Sequence, residues 1–300
     1  MDTILEVKHL KKTYGNLKAV NDVSFKVRRG SLFAFLGPNG AGKSTTINII
    51  STLLKKDEGE VLLNEQSSEA YFRNKIGVVF QENILDDLLT VKENLMYRGS
   101  LYINNKQGVL KRYQELRELL RFGAFENQRF KTLSGGQKRR TEIARALFSN
   151  PEILLLDEPT TGLDPETRMI VWELIDHLRE NSGMTIFLTT HYMEEAAKAD
   201  HVVIINKGVV VAEGTPAALK DKYSFDRLKI VPIDKESFVQ TLHDLKIAYE
   251  KISDEYVIII DEALKAIELL NTFKTNIKQF EVIKGSMDDV FIEAVGGNHV

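Results

Sequence analysis

Cysteine is absent from the 300 residues, which removes disulfides, thiolate metal sites and thiol nucleophiles together and fits a reducing compartment. Long hydrophobic runs are missing too. The longest, Leu32 to Leu36 and Tyr256 to Ile260, fall far below the ~20 residues a helix needs to cross a bilayer, so no membrane span is expected. Met1 to Leu10 alternates charged and apolar residues and lacks the basic-then-apolar order of a secretory signal. No excess of one charge exists either: the net charge is −3 with both signs interspersed. That pattern gives no basic face for nucleic acid, and no nucleic-acid partner is expected. With 43% hydrophobic residues the chain can bury a core and is long enough for one large domain and a smaller one.

What is present begins with glycine placement. After the apolar run Leu32 to Leu36 the chain reads Gly37, Pro38, Asn39, Gly40, Ala41, Gly42, Lys43, Ser44, Thr45, followed by a helix-like stretch from Thr46 to Leu54. Strand, glycine loop and helix in this order make a phosphate-binding loop. The glycines let backbone N–H groups converge on an anion, and the helix adds the positive end of its dipole. Lys43 can reach terminal phosphates and the Ser44 hydroxyl can ligand Mg²⁺.

A second element is Ile153-Leu154-Leu155-Leu156-Asp157-Glu158. Four aliphatic residues form a buried strand whose end delivers two carboxylates to the sheet edge where α/β folds bind ligands. Asp157 is suited to hold Mg²⁺ against the phosphates, leaving Glu158 to polarise the attacking water. A third is Leu133-Ser134-Gly135-Gly136-Gln137. Ser134 and Gln137 have the spacing of a capping box, which explains neither glycine. It also leaves Lys138, Arg139 and Arg140 in a first helical turn, where cations oppose the dipole. An anion brought to this N-terminus offsets that conflict, making it a second phosphate site.

Organisation follows from periodicity. Strands are expected near 4–10, 20–27, 31–36, 59–63, 76–80, 153–157, 185–190, 201–206 and 208–213, the first antiparallel and those ending at Leu36, Asp157 and Thr190 parallel. From Thr90 to Phe148 the pattern is helical, with Leu110, Leu116, Leu119 and Leu120 as apolar positions, and reads as an insertion at about 82–150. The domain boundary is placed at 223/224. Beyond it the order strand, helix, two strands, helix, strand is that of a ferredoxin-like unit, closed by a helix from Met287 that Ser286 and Asp289 can cap.

Together these motifs resemble the nucleotide-binding subunits of ABC transporters. Gly37 to Thr45 is similar to the Walker A motif, Leu133 to Gln137 to the signature motif, and Ile153 to Glu158 to Walker B with its glutamate. Tyr14 takes the place of the aromatic that stacks on adenine, Gln81 that of the Q-loop glutamine sensing γ-phosphate and metal, Gly162-Leu163-Asp164 that of the D-loop, and His191 that of the switch histidine. The other five histidines stand in no comparable setting. The likeness covers about residues 4 to 220. It implies a P-loop α/β core of ABC type with an antiparallel β subdomain and a helical insertion, and an ATPase using ATP and Mg²⁺. Metal ligands are then Ser44, Gln81 and Asp157, and the catalytic set Lys43, Gln81, Glu158 and His191.

The resemblance further implies a head-to-tail dimer, a homodimer by expectation, in which Ser134, Gly135, Gly136, Gln137 and Asp164 serve the partner's ATP. Asp86 to Leu95 and Ser286 to Glu293 resemble segments of the exporter-type subclass whose permease is a separate polypeptide. The expected location is the cytoplasmic face of the cell membrane, held peripherally by that permease. The alternatives are an importer subunit or a soluble ABC-type ATPase of translation or chromosome maintenance. The soluble types carry two cassettes or a long coiled coil. This chain has neither, since the interval from Gly37 to Leu133 lacks a heptad repeat.

Overall fold

In the computed structural model, which describes residues 2–261 and 263–296, β1 (Thr3–Tyr14) and β2 (Leu17–Arg28) pair antiparallel. β3 (Leu32–Leu36) runs into α1 (Lys43–Ile50), and β4 (Glu58–Leu63) returns to the free side of β1. α2 (Glu69–Lys75) and β5 (Ile76–Val79) follow, then the helices α3 (Val91–Gly99), α4 (Lys106–Leu119) and α5 (Gly135–Leu147). β6 (Ile153–Asp157), α6 (Pro165–Ser182), β7 (Thr185–Thr190), α7 (Met193–Ala196), β8 (His201–Asn206) and β9 (Val209–Gly214) complete a six-stranded sheet of order β5-β6-β7-β3-β8-β9.

β3, β6 and β7 are buried at every residue, as expected for parallel strands covered on both faces. β1 and β2 instead alternate over much of their length. The two sheets meet through aromatic rings: Phe25 of β2 lies 5.3 Å from Phe33 and 5.7 Å from Phe187, and Phe33 lies 5.0 Å from Phe187. These side chains sit in one contiguous core with Phe35, Ile47 and Leu155. The helical block forms as the periodicity indicates, with one shift of face. On α4 the buried stripe is Val109, Tyr113 and Leu116, continued by Leu120, while Leu110 is exposed. Tyr113 fixes this choice, because its hydroxyl donates to Glu126 (2.6 Å).

The chain divides into two compact units, one ending at Glu213 and one beginning at Gly214. The second opens with α8 (Pro216–Tyr223) and continues through β10 (Asp226–Pro232), α9 (Lys235–Asp244), β11 (Glu250–Ile252), β12 (Glu255–Ile260), α10 (Ala263–Thr272), β13 (Ile277–Ile283) and α11 (Met287–Gly296). Its sheet order is β11-β12-β10-β13, with antiparallel pairing throughout, which is the ferredoxin-like arrangement. Leu228, Ile230, Phe238, Tyr256, Ile258 and Phe273 make its core. α11 begins in a capping box, Ser286 N–H to Asp289 (2.9 Å) and Asp289 N–H to Ser286 (3.2 Å), and packs on α8.

One carboxylate ties several elements of the first unit together. Glu152, just before β6, accepts from Lys75 at 2.7 Å, Asn64 at 3.0 Å and Arg29 at 3.0 Å. The bonds from Lys75 and Asn64, with that from Arg29, outweigh burial and hold its pKa down at about 2. A carboxylate with a depressed folded pKa stabilises the fold above its unfolded pKa and loses that contribution as pH falls through the folded one. Glu152 should therefore contribute fully above about pH 5 and progressively less down to about pH 2. In denaturant titrations, the stability gap between the parent and Glu152→Gln should be open at pH 7 and narrow by pH 3. A gap independent of pH would contradict this.

Candidate active site

The parallel register decides what meets at the carboxyl edge of the sheet. Leu36 lies opposite Thr190 and Asp157 opposite Thr189. Gly37, the Asp157-Glu158 pair and His191 therefore leave three adjacent strands at one level. The Gly37 N–H donates to the Thr190 carbonyl (3.1 Å). The loop then turns into α1 through Gly42, whose φ is +107°, and no side chain caps that helix nor does an acidic residue stand in its first turn. Its leading N–H groups are thus left for an anion. A Cβ at Gly37 would meet the Ile205 carbonyl oxygen at 2.4 Å, and one at Gly42 the Ala19 carbonyl oxygen at 2.3 Å. Asn39 and Gly40 are exposed, Pro38 and Thr45 partly so, and Ala41 is buried.

Lys43 is only 4% exposed. Its Nζ donates to the carbonyls of Gly37 (2.9 Å) and Pro38 (3.2 Å) and pairs with Glu158 Oε1 at 3.0 Å. Ser44 Oγ lies 3.4 Å from Asp157 Oδ1. Glu158 has a left-handed backbone, φ +45°, a conformation that non-glycine residues hold only when their surroundings enforce it. Here its N–H donates to Thr189 Oγ1 (3.0 Å), and the Thr189 hydroxyl in turn donates to Asp157 Oδ1. Glu158 Oε2 accepts from the Thr161 hydroxyl (3.0 Å) and lies 3.2 Å from His191 Nδ1. That histidine nitrogen is buried without a hydrogen-bond partner, so the contact is a close approach and not an aligned bond. Burial pushes the Glu158 carboxyl up. The Lys43 ammonium, the Thr161 hydroxyl and His191 more than reverse this, leaving it below the usual carboxylate range.

The structure thus gathers Lys43, Ser44, Asp157, Glu158 and His191. Among the described residues, the expected residues outside the loop, Tyr14, Gln81, 134–137 and Asp164, make no hydrogen bond or ion pair with this group. Tyr14, 48% exposed, ends β1. Because β1 is the central strand of its sheet, Tyr14 marks a hairpin tip and not an edge-strand aromatic. Gln81 is exposed just past β5. Ser134 and Gln137 form the capping box of α5, at 3.0 and 3.3 Å. Ser134 and Gly135 are exposed while Gly136 is buried, its missing Cβ leaving room for Thr167. Among the described residues no hydrogen bond or ion pair joins 134–137 to 37–45. Asp164 caps α6, accepting the Thr167 N–H (2.9 Å) and hydroxyl (2.6 Å), bonds that hold its carboxyl below the usual range.

One sequence argument needs correcting. The cations in the first turn of α5 do not all await an anion: Arg139 is buried and donates to the carbonyls of Pro159 (2.6 Å), Glu158 (2.9 Å) and Phe80, and Arg140 donates to the Arg121 carbonyl (3.2 Å). Sequence reading also passed over Thr189 and Thr161. The one available signal was a pair of threonines closing the otherwise apolar run Ile186-Phe187-Leu188.

Among the described residues no cluster of three or more His, Cys, Asp or Glu is arranged to hold a metal. Ser44 and Asp157 suit a Mg²⁺ that arrives with its nucleotide, because that ion takes few protein ligands and keeps phosphate oxygens and water. A glycine loop opening an uncapped helix, a buried lysine beneath it and two carboxylates at the end of β6, the next strand but one, define a P-loop nucleotide hydrolase.

Comparison with known proteins agrees. Residues 20–161 match the family described as "ABC transporter", and residues 214–295 match "ATP-binding protein DrrA1-3-like, C-terminal domain". The "Doxorubicin resistance ATP-binding protein DrrA" of Mycobacterium tuberculosis is 41% identical over 78% of this chain and 72% of its own length. The "Nod factor export ATP-binding protein I" of Bradyrhizobium diazoefficiens is 39% identical over 71% of both. A dimeric ATP-binding cassette solved in a post-hydrolysis state with ADP and phosphate superposes with a TM-score of 0.64 at 32% identity, covering 71% of this chain and 98% of that one. The chain belongs to the ATP-binding subunits of the ABC transporter family. Its first unit is accordingly an ATP-binding cassette.

Gly42 tests the geometry most sharply, since its φ and its contact with the Ala19 carbonyl both forbid a side chain. Gly42→Ala should cost about 2 kcal/mol or more of stability and abolish ATP binding, read by thermal melts with and without nucleotide. A variant that is still stabilised by ATP as the parent is would overturn this picture of the loop.

Proposed function

We propose that this chain hydrolyses MgATP at the carboxyl edge of its sheet and that two copies, arranged head to tail, use it to drive export through a separate membrane permease. The observation that carries the reading is the Lys43–Glu158 ion pair, 3.0 Å long and almost dry, set between an uncapped helix and the Asp157 carboxylate. In this reading the loop N–H groups from Gly37 to Thr45 and the Lys43 ammonium hold the phosphates. Ser44, Asp157 and Gln81 hold Mg²⁺, which neutralises phosphate charge when bound. Tyr14 stacks on the adenine.

A phosphate reaching Lys43 competes with Glu158 for the same ammonium. Once released, Glu158 stays positioned by Thr161 and the Thr189 hydroxyl, and can orient a water and accept its proton. His191, next to Glu158, faces the terminal phosphate. Ser134, Gly135, Gly136, Gln137 and Asp164, exposed or lying at helix N-termini away from this cluster, serve the nucleotide of the second copy. The cassette relative solved as a dimer supports that division.

The names of the relatives speak of resistance and of export, which supports an exporter over an importer or a soluble ATPase of translation or chromosome maintenance. No helix among the described residues is long and apolar enough to cross a membrane. In this reading the chain reaches the cytoplasmic face of the membrane through its permease. The ferredoxin-like unit, which holds none of the phosphate or metal residues, is an accessory domain.

Glu158→Gln keeps the shape of the site and removes the base. Its steady-state ATPase rate should fall by ~10²-fold or more while nucleotide still binds. Turnover at the parent rate would remove Glu158 from this role.

A further inference from the structure

Behind its Ser134–Gln137 N-terminus, α5 carries a second set of groups that the site above leaves mostly unused. Arg139, Glu142 and Arg145 follow at three-residue intervals along one side of the helix and are 6%, 1% and 9% exposed. All three are spent on backbone near Gln81. Upstream of it, Arg145 donates to the Val78 carbonyl and Arg139 to the Phe80 carbonyl. Downstream, Glu142 Oε1 accepts the N–H groups of Ile84 (2.8 Å) and Leu85 (3.0 Å), and its Oε2 accepts Arg145 Nε (2.8 Å). Arg139 also reaches the carbonyl of Glu158 (2.9 Å). Burial lowers the Arg139 pKa to about 10, with Glu142, Asp157 and Glu195 opposing the shift.

Burying three charges is a poor way to gain stability, since well-packed apolar residues of similar volume often do as well. Charge-assisted bonds to backbone groups do something apolar packing cannot: they fix a chain path in register with the helix that supplies them. Residues 81–83 are thereby held from both sides by α5, with β6 pairing to β5 upstream and Arg98 of α3 donating to the Ile84 carbonyl (3.4 Å) downstream. We infer that Arg139, Glu142 and Arg145 are positioning residues that make Gln81 move with α5, so that a nucleotide engaged by Ser134–Gln137 of one chain is felt at the Gln81 that serves that chain's own nucleotide. The inference rests on the composite-site reading above and adds a coupling route between the two sites.

The test must exclude direct contact between Gln81 and its own ATP. Isotope-labelled Lys43→Ala chain, unable to hold ATP in its own loop, is mixed with unlabelled Glu158→Gln chain and MgATP, and amide hydrogen exchange is read in each copy. Protection at 134–137 of the labelled copy should be accompanied by severalfold slower exchange across 81–89 of the same copy. Adding Glu142→Ala to the labelled copy should leave the first effect and lose the second. If that variant does not fold, Glu142→Asp, which keeps a charge beside Arg145 but withdraws it by one methylene, makes the same comparison. Slowing across 81–89 that persists in the Glu142 variant overturns the inference. So does its absence in the Lys43→Ala copy when 134–137 is protected. Failure of the underlying reading looks different: 37–45 of the Glu158→Gln copy, or 134–137 of its partner, would then show no response to MgATP, and the inference would fall with it.

Discussion

The buried pair between Lys43 and Glu158 is the interaction on which the site depends. Neither charge could stay so far from water alone, because an unpaired buried ion costs several kcal/mol. Each is the other's counter-ion at 3.0 Å. Lys43 adds two loop carbonyls, and Glu158 adds the Thr161 hydroxyl. The pair can form only because β3 and β6 flank β7 in parallel, in a register that ends all three at one level. Glu158 is turned toward it by a left-handed backbone that Thr189 and Arg139 hold in place. Register, strain and charge are one construction.

That construction is poised and not locked. A phosphate offers Lys43 a stronger anion than a single carboxylate, and the helix dipole behind the loop favours it further. Displacing Glu158 does not strand it, since the Thr161 hydroxyl still donates to its Oε2. In the proposed reading, binding and preparation of the base are the same event. Through Arg139, which touches the backbone of Phe80 and Glu158 alike, the event is also linked to the segment leading to Gln81.

Much of this was legible in the sequence because it rests on residues whose chemistry is local. Gly37 and Gly42 are glycine for reasons of backbone and contact, and Asp157-Glu158 ends a strand whose apolar run is plain. The ferredoxin-like order after Tyr223 was equally open to periodicity. What escaped depends on register, which no local pattern encodes. Thr189 matters only because β7 sets it beside Asp157. By position alone Arg139 is a cation in conflict with a helix dipole, whereas folding carries it into a nest of carbonyls. Asp164 has a helix cap's bonds, and Leu110 looked buried by spacing while Tyr113 had already chosen the face.

Competition between the carboxylate and the phosphate for Lys43 is the central claim, and affinity measures it directly. Calorimetric titration of a non-hydrolysable ATP analogue with Mg²⁺ compares the parent chain and Glu158→Gln at matched salt. The account predicts tighter binding by the variant, by about 1 kcal/mol or roughly fivefold, because the phosphate no longer has to displace a charged partner. Equal or weaker binding by Glu158→Gln would contradict it.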